Sequence, residues 1–128
     1  MAAVRNLVEN YYELIDSGQL ADAAALMTED VKLTFANAEP VTGRDAATAS
    51  IQYVLDQTTK IEHKVVHWIE PHPAVNGITE VVFEIRIHYW LKNGKEVDIP
   101  GAVYATVDAD NKFTEQRLYG DLTEVFAA

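Results

Sequence analysis

Beyond residue 60 the chain changes its period. From there to about residue 120, apolar and polar residues alternate in long runs, as they do in strands with two unlike faces. The clearest run is FEIRIHYW at 83–90, with Phe83, Ile85, Ile87 and Tyr89 on one side and Glu84, Arg86, His88 and Trp90 on the other. The alternation predicts strands at about 61–70, 78–92, 95–107 and 112–120. KNGK (92–95) and DADNK (108–112) supply the hairpin turns between the last three, Asn-Gly being the stronger turn signal.

The first sixty residues have a different rhythm. Val4, Leu7, Val8, Tyr11, Leu14 and Ile15 recur at the helical period, which predicts an amphipathic helix over 3–16 with Gly18 at its stop. QLADAAALM (19–27) reads as a second, short helix. EDVKLTF (29–35) alternates, placing Val31, Leu33 and Phe35 on one face of a strand. NAEPVTG (37–43) is turn chemistry, and Thr42 with Asp45 has the spacing of a capping box opening a third helix through 44–57. Helices first and an antiparallel meander afterwards make an α+β chain. With 128 residues, no repeat and no linker, it reads as a single domain over 1–128.

Charge and composition remove several functions. Ten cations against twenty anions leave a net charge of −10, which repels phosphate backbones and anionic lipid. Neither nucleic acid nor membrane is an expected partner. No run approaches the ~20 apolar residues of a membrane span, and the N-terminus lacks a leader-like apolar stretch. The absence of cysteine excludes disulfides, thiol nucleophiles and thiolate metal sites, and fits a cytoplasmic location. His63, Val65, His67 and Ile69 share a strand face, but two histidines four residues apart in a strand are ~13 Å from each other, too far for one metal ion. His72 lies in a proline-rich turn. No glycine loop, nucleophile motif or cofactor fingerprint occurs, so any chemistry here is expected to be cofactor-free acid–base work without a metal.

Periodicity leaves one question open. Three helices can cover only one face of a long sheet. If they cover Phe83, Ile85, Ile87 and Tyr89, the charged face meets water and the chain can stand alone. If they cover Glu84, Arg86, His88 and Trp90, the apolar stripe needs a subunit interface.

The element order, together with GRDA (43–46), IEHKVVHWIE (61–70), HYWLKNGKEVDIPGAV (88–103) and QRLYGDLTEVF (116–126), resembles the SnoaL-like proteins. These belong to the nuclear-transport-factor-2-like superfamily, with polyketide cyclases, ketosteroid isomerases and limonene-epoxide hydrolases. The resemblance implies a cone-shaped α+β barrel: three N-terminal helices on a curved, mainly antiparallel sheet, with a pocket between them. Counting back from Asn93-Gly94, it further implies that Glu84, Arg86, His88 and Trp90 face that pocket. Phe83, Ile85, Ile87 and Tyr89 would then form a homodimer interface.

Family roles transfer only in part. Tyr11 occupies the place of the isomerase tyrosine that donates to a developing oxyanion. The isomerase's proton-shuttling aspartate falls at Phe35 and its second oxyanion acid at Val103, so steroid isomerisation is not expected. The epoxide hydrolase's tyrosine and asparagine fall at Leu33 and Phe35, its Arg–Asp pair becomes Glu84–Arg86, and its last aspartate falls at Leu118. The expected site has Glu84 and His88 as the acid–base pair, Arg86 as anchor and Tyr11 as oxyanion donor. Leu33, Phe35, Val54, Trp90, Ile99, Val103 and Leu118 would line it, with Gly101 and Gly120 leaving room. Arg117, Tyr119 and Asp121 read as scaffold, and whether Asp121 or His63 reaches the pocket stays open. The expected activity is cyclisation, isomerisation, dehydration or hydrolysis of an apolar, oxygen-bearing small molecule. The alternative is a non-catalytic ligand-binding or dimerisation module.

Overall fold

The computed structural model describes residues 2–126. Helix α1 (Ala2–Asp16) is followed by α2 (Leu20–Ala24), β1 (Met27–Phe35), β2 (Val41–Thr42) and α3 (Arg44–Leu55). Strands β3 (Thr58–Trp68), β4 (Thr79–Leu91), β5 (Glu96–Val107) and β6 (Phe113–Tyr119) come next, and α4 (Thr123–Phe126) closes the described chain. The predicted α+β architecture is present. Two elements too short to carry a period, β2 and α4, were not visible in the sequence.

One six-stranded sheet runs in the order β2-β1-β6-β5-β4-β3. All neighbours are antiparallel except β1 and β6, which pair in parallel. That pairing lets the first strand, separated from the meander by α3, join β6 and extend the sheet. Bulges interrupt the ladders at Met27/Lys32, Val65/His67 and Thr106/Val107, and bulges bend a sheet and increase its twist.

The turns follow the residues that favour them. Gly18 takes φ 79 just past α1, and the Gln19 amide returns to the Leu14 carbonyl at 2.8 Å. In the β4–β5 hairpin Gly94 sits at φ 89, and the Asn93 side chain accepts the Lys95 amide at 2.9 Å. The expected capping box at Thr42 does not form. Gly43 is the residue that precedes α3, at φ 106, with no side-chain cap bond.

The central correction concerns β4. Its burial alternates without a break: Val81, Phe83, Ile85, Ile87, Tyr89 and Leu91 are buried, while Glu84 and Arg86 are exposed and His88 and Trp90 half-buried. The helices therefore cover the apolar face, the reverse of what the resemblance implied. A shift of one residue moves every side chain of a strand to the other face, and the observed register turns Phe83, not Glu84, toward the helices. Energetics favour the observed choice. Burying a large apolar side chain is worth about 1.5–3 kcal/mol, whereas burying carboxylate and guanidinium costs several kcal/mol per ion unless they are paired. The expected homodimer interface of Phe83, Ile85, Ile87 and Tyr89 is thus the interior of a single chain, out of reach of a second copy.

Candidate active site

Between the helices and the concave face of the sheet lies a cavity of about 60 Å³ with predominantly apolar walls. Leu33, Phe35, Val54, Val103 and Leu118 line it, and so does Tyr11. Gly101 makes the room for this arrangement, since a Cβ there would meet Leu118 Cδ1 at 3.1 Å. Ile99 packs against the core without lining the cavity. Trp90 stands on the opposite face of the sheet, where its ring stacks on His88 at 3.8 Å. In place of the charged face of β4, the wall has Ile85, Ile87 and Tyr89.

Glu84, Arg86 and His88 are therefore not in the cavity. They stand on the outer face, and the sheet itself separates them from it. Arg86 does not pair with Glu84. Its Nε donates to Asp98 Oδ1 at 2.7 Å, and this bond holds the Asp98 carboxyl below its ordinary value. His88 Nε2 lies 2.8 Å from Glu96 Oε1 and its Nδ1 3.4 Å from Asp98 Oδ2, while Lys60 covers the Trp90 ring at 4.6 Å. Arg117 likewise faces outward, bound to Glu115 at 2.8 Å and lying 4.8 Å over the Tyr104 ring. Asp121 caps the start of α4 by accepting the Thr123 amide at 3.0 Å, and the Thr123 side chain first, then that amide, lower its pKa. It does not line the cavity.

His63 does. It sits on β3 beside Ile61, and its Nδ1 is 2.6 Å from Asp16 Oδ1. The second Asp16 oxygen accepts the His63 backbone amide at 2.7 Å. One carboxylate thus grips the residue at two points. With a carboxylate acceptor on Nδ1, that nitrogen carries the proton, and Nε2 is the basic one. The pair is well sheltered, with side-chain exposures of 10% for His63 and 20% for Asp16. Tyr12 stacks on the imidazole at 4.5 Å. Burial first, then the neighbouring Tyr11, Tyr89 and Asp16, keeps the Tyr12 hydroxyl protonated well above the ordinary phenol range. His67, expected on the same face as His63, is exposed because the bulge at Val65/His67 changes the parity of β3.

At the other side of the cavity, Tyr11 is 2% exposed and its hydroxyl is 4.0 Å from Met27 Sδ, a weak acceptor. Burial raises its pKa, and the nearby Gln116 amide opposes part of that rise. The cavity has a neutral phenol and an amide at one wall, a histidine–carboxylate pair at the other, and hydrocarbon between them.

Sequence reasoning missed Asp16, Tyr12 and Gln116. Asp16 left a trace. It is an acid in the last turn of α1, where the helix dipole disfavours negative charge, so its partner had to lie elsewhere.

Residues 8–116 match the model of the SnoaL-like domain family. The chain belongs to this family. Among solved structures it is similar to a candidate scytalone dehydratase from Novosphingobium aromaticivorans DSM 12444, with a TM-score of 0.84 at 19% identity over 94% of this chain and 83% of that one. It is also similar to a candidate polyketide cyclase from Xanthomonas campestris pv. campestris, with a TM-score of 0.71 at 21% identity over 98% and 96% of the two chains. A third is an epoxide hydrolase/cyclase-like enzyme of pyran ring formation in polyether salinomycin, with a TM-score of 0.75 at 14% identity over 94% and 92%. At these identities the likeness is one of fold. No curated protein sequence matches the chain. Among the described residues of this SnoaL-like protein, no helix is long and apolar enough to cross a membrane.

Proposed function

We propose that this SnoaL-like protein is a cofactor-free acid–base enzyme that removes a proton next to a carbonyl of a compact apolar substrate. The observation that carries the reading is the His63–Asp16 pair at the wall of a hydrocarbon cavity. His63 Nε2 takes the proton. Asp16 accepts from Nδ1, fixes the tautomer and offsets the charge of the imidazolium that forms. Tyr11, kept neutral by burial, donates to the oxygen on which negative charge develops. His63 then returns its proton to another carbon in an isomerisation, to a departing hydroxyl in a dehydration, or, in a cyclisation, to the alkoxide left when the enolate carbon bonds to a second carbonyl carbon and that C=O π bond breaks. Dehydratase, cyclase and epoxide-hydrolase names among the structural neighbours support chemistry of this class. Low exposure strengthens the pair's electrostatic coupling, because water screens it poorly there.

The test does not require the natural substrate. A base of this kind exchanges the α-protons of a simple ketone, so acetone, small enough for the cavity, should lose its α-proton NMR signal in D₂O faster with the protein than without it. His63→Gln should remove the acceleration. Exchange that persists undiminished in that variant would leave a ligand-binding module as the better reading.

A further inference from the structure

Three buried side-chain polar atoms have no hydrogen-bond partner among the described residues: Thr28 Oγ1, Trp68 Nε1 and Gln116 Nε2. Of these, only Gln116 lines the cavity. The residue is 6% exposed, on a strand whose other buried member is Phe113. It occupies a wall otherwise formed by Leu33, Val103 and Leu118, where an aliphatic side chain would pack without cost. A buried amide donor left unmade is expensive, and native interiors rarely keep one without a use. The Tyr11 hydroxyl is close enough for the amide to influence its pKa, yet Gln116 Nε2 completes no hydrogen bond, and the hydroxyl's own proton has only the Met27 sulfur at 4.0 Å. Two incompletely used donors thus lie at one wall of the cavity.

We infer that Gln116 is a substrate-binding, specificity-determining residue: its Nε2–H₂ receives a hydrogen-bond-accepting oxygen, a carbonyl, of the bound molecule. The inference rests on the cavity being the substrate site and adds the class of group recognised at its inner wall. The placement orients the ligand. Gln116 on β6 and His63 on β3 are separated by β5 and β4, three strand spacings or ~14 Å between backbones, so their side chains approach a ligand from opposite walls. A carbonyl anchored at Gln116 directs the rest of the molecule toward the imidazole. A hydrocarbon of the same shape would fill the cavity but leave the amide unsatisfied. Sites built to hydrogen-bond an oxygen discriminate against analogues that lack it for this reason.

The experiment compares acetone with 2-methylpropene, the matching hydrocarbon and small enough for the cavity, by NMR titration of the wild-type protein and of Gln116→Met. The ketone-to-hydrocarbon affinity ratio should fall about tenfold in Gln116→Met. In the wild type, the Gln116 side-chain amide resonances should shift downfield with acetone and not with 2-methylpropene. Gln116→Met should also melt at a higher temperature, because it removes the orphaned donor. An unchanged ratio, an amide signal that ignores the ketone, or no binding of either ligand would overturn the assignment. His63→Gln separates this inference from the proposed chemistry. It should abolish proton exchange while preserving the acetone-to-2-methylpropene ratio, so the binding residue and the base can fail independently.

Discussion

Two histidine–carboxylate pairs lie on opposite faces of the same sheet, alike in their short bond and different in their surroundings. His63 bonds Asp16 at 2.6 Å on the cavity side, and His88 bonds Glu96 at 2.8 Å on the outer side. Asp16 is 20% exposed against 59% for Glu96, and His63 10% against 27% for His88. The outer histidine has a second carboxylate, Asp98, which is already shared with Arg86. The inner one has a single carboxylate that also holds the backbone, and a cavity on its free side. Pair geometry alone therefore does not mark a reactive site. What distinguishes the inner pair is shelter from solvent, together with a space in which a second molecule can stand.

The largest expected difference between the faces is catalytic. His63→Gln or Asp16→Asn should slow α-proton exchange of acetone by about 10²–10⁴-fold, the range a positioned general base contributes. His88→Gln should change it less than about twofold, since surface substitutions rarely act at a distance. Equal loss in both variants, read by NMR, would erase the distinction drawn here.

Stability should separate neighbouring residues on β4 almost as sharply. Ile85→Ala should cost about 2–5 kcal/mol in urea unfolding through lost burial and a cavity. Arg86→Ala, one residue away, should cost about 1 kcal/mol or less, as exposed ion pairs do. A larger loss for Arg86 than for Ile85 would mean that the helices cover the other face.

Alkaline pH probes the tyrosines of the two faces. Burial raises the Tyr11 pKa above its ordinary value. A raised folded-state pKa contributes stability that is complete below pH ~10 and is lost as pH climbs from there toward the folded value. Tyr11→Phe should therefore flatten the fall in stability above pH 10 by about 1.4 kcal/mol per pH unit. Tyr104, raised by its bond to Glu80 at the surface, should change that slope far less on conversion to Phe.

The smallest effect belongs to the outer cluster in acid. Asp98 is held low by Arg86, so its contribution is present above the unfolded value near pH 4 and lost as pH falls through the folded one. Asp98→Asn should lower the melting temperature slightly at pH 7, where that contribution is present, and reduce its decline below pH 4. A sizeable loss at pH 7 would show that the outer cluster is structural.

Much of this was legible beforehand. The long period-two runs, the Asn-Gly turn and the helical stripe of α1 identified the architecture, because backbone geometry imposes those periods locally. Leu33, Phe35, Val54, Val103 and Leu118 are apolar residues of predicted strands and a helix, and they line the cavity. The orientation of β4 was not, although a clue was present. Val103 pairs with Phe83 across the hairpin, and paired residues share a face, so a strand with Val103 inside must have Phe83 inside as well. Placing Glu84 and Val103 on the same face contradicted the hairpin that joins them. Asp16 and His63 are 47 residues apart, and no period links them.

The amino-acid sequence by itself determined an acidic α+β chain with one core, its helical and extended segments, and the apolar stripes available for burial, because these depend on neighbours three or four bonds of hydrogen-bonding pattern away. Only the tertiary structure decided which stripe the helices cover, that β1 joins β6 in parallel, and that an acid at the end of α1 meets a histidine on β3. Those outcomes are set by competition between whole faces for burial, and that competition is settled only when the sheet and its helices are assembled.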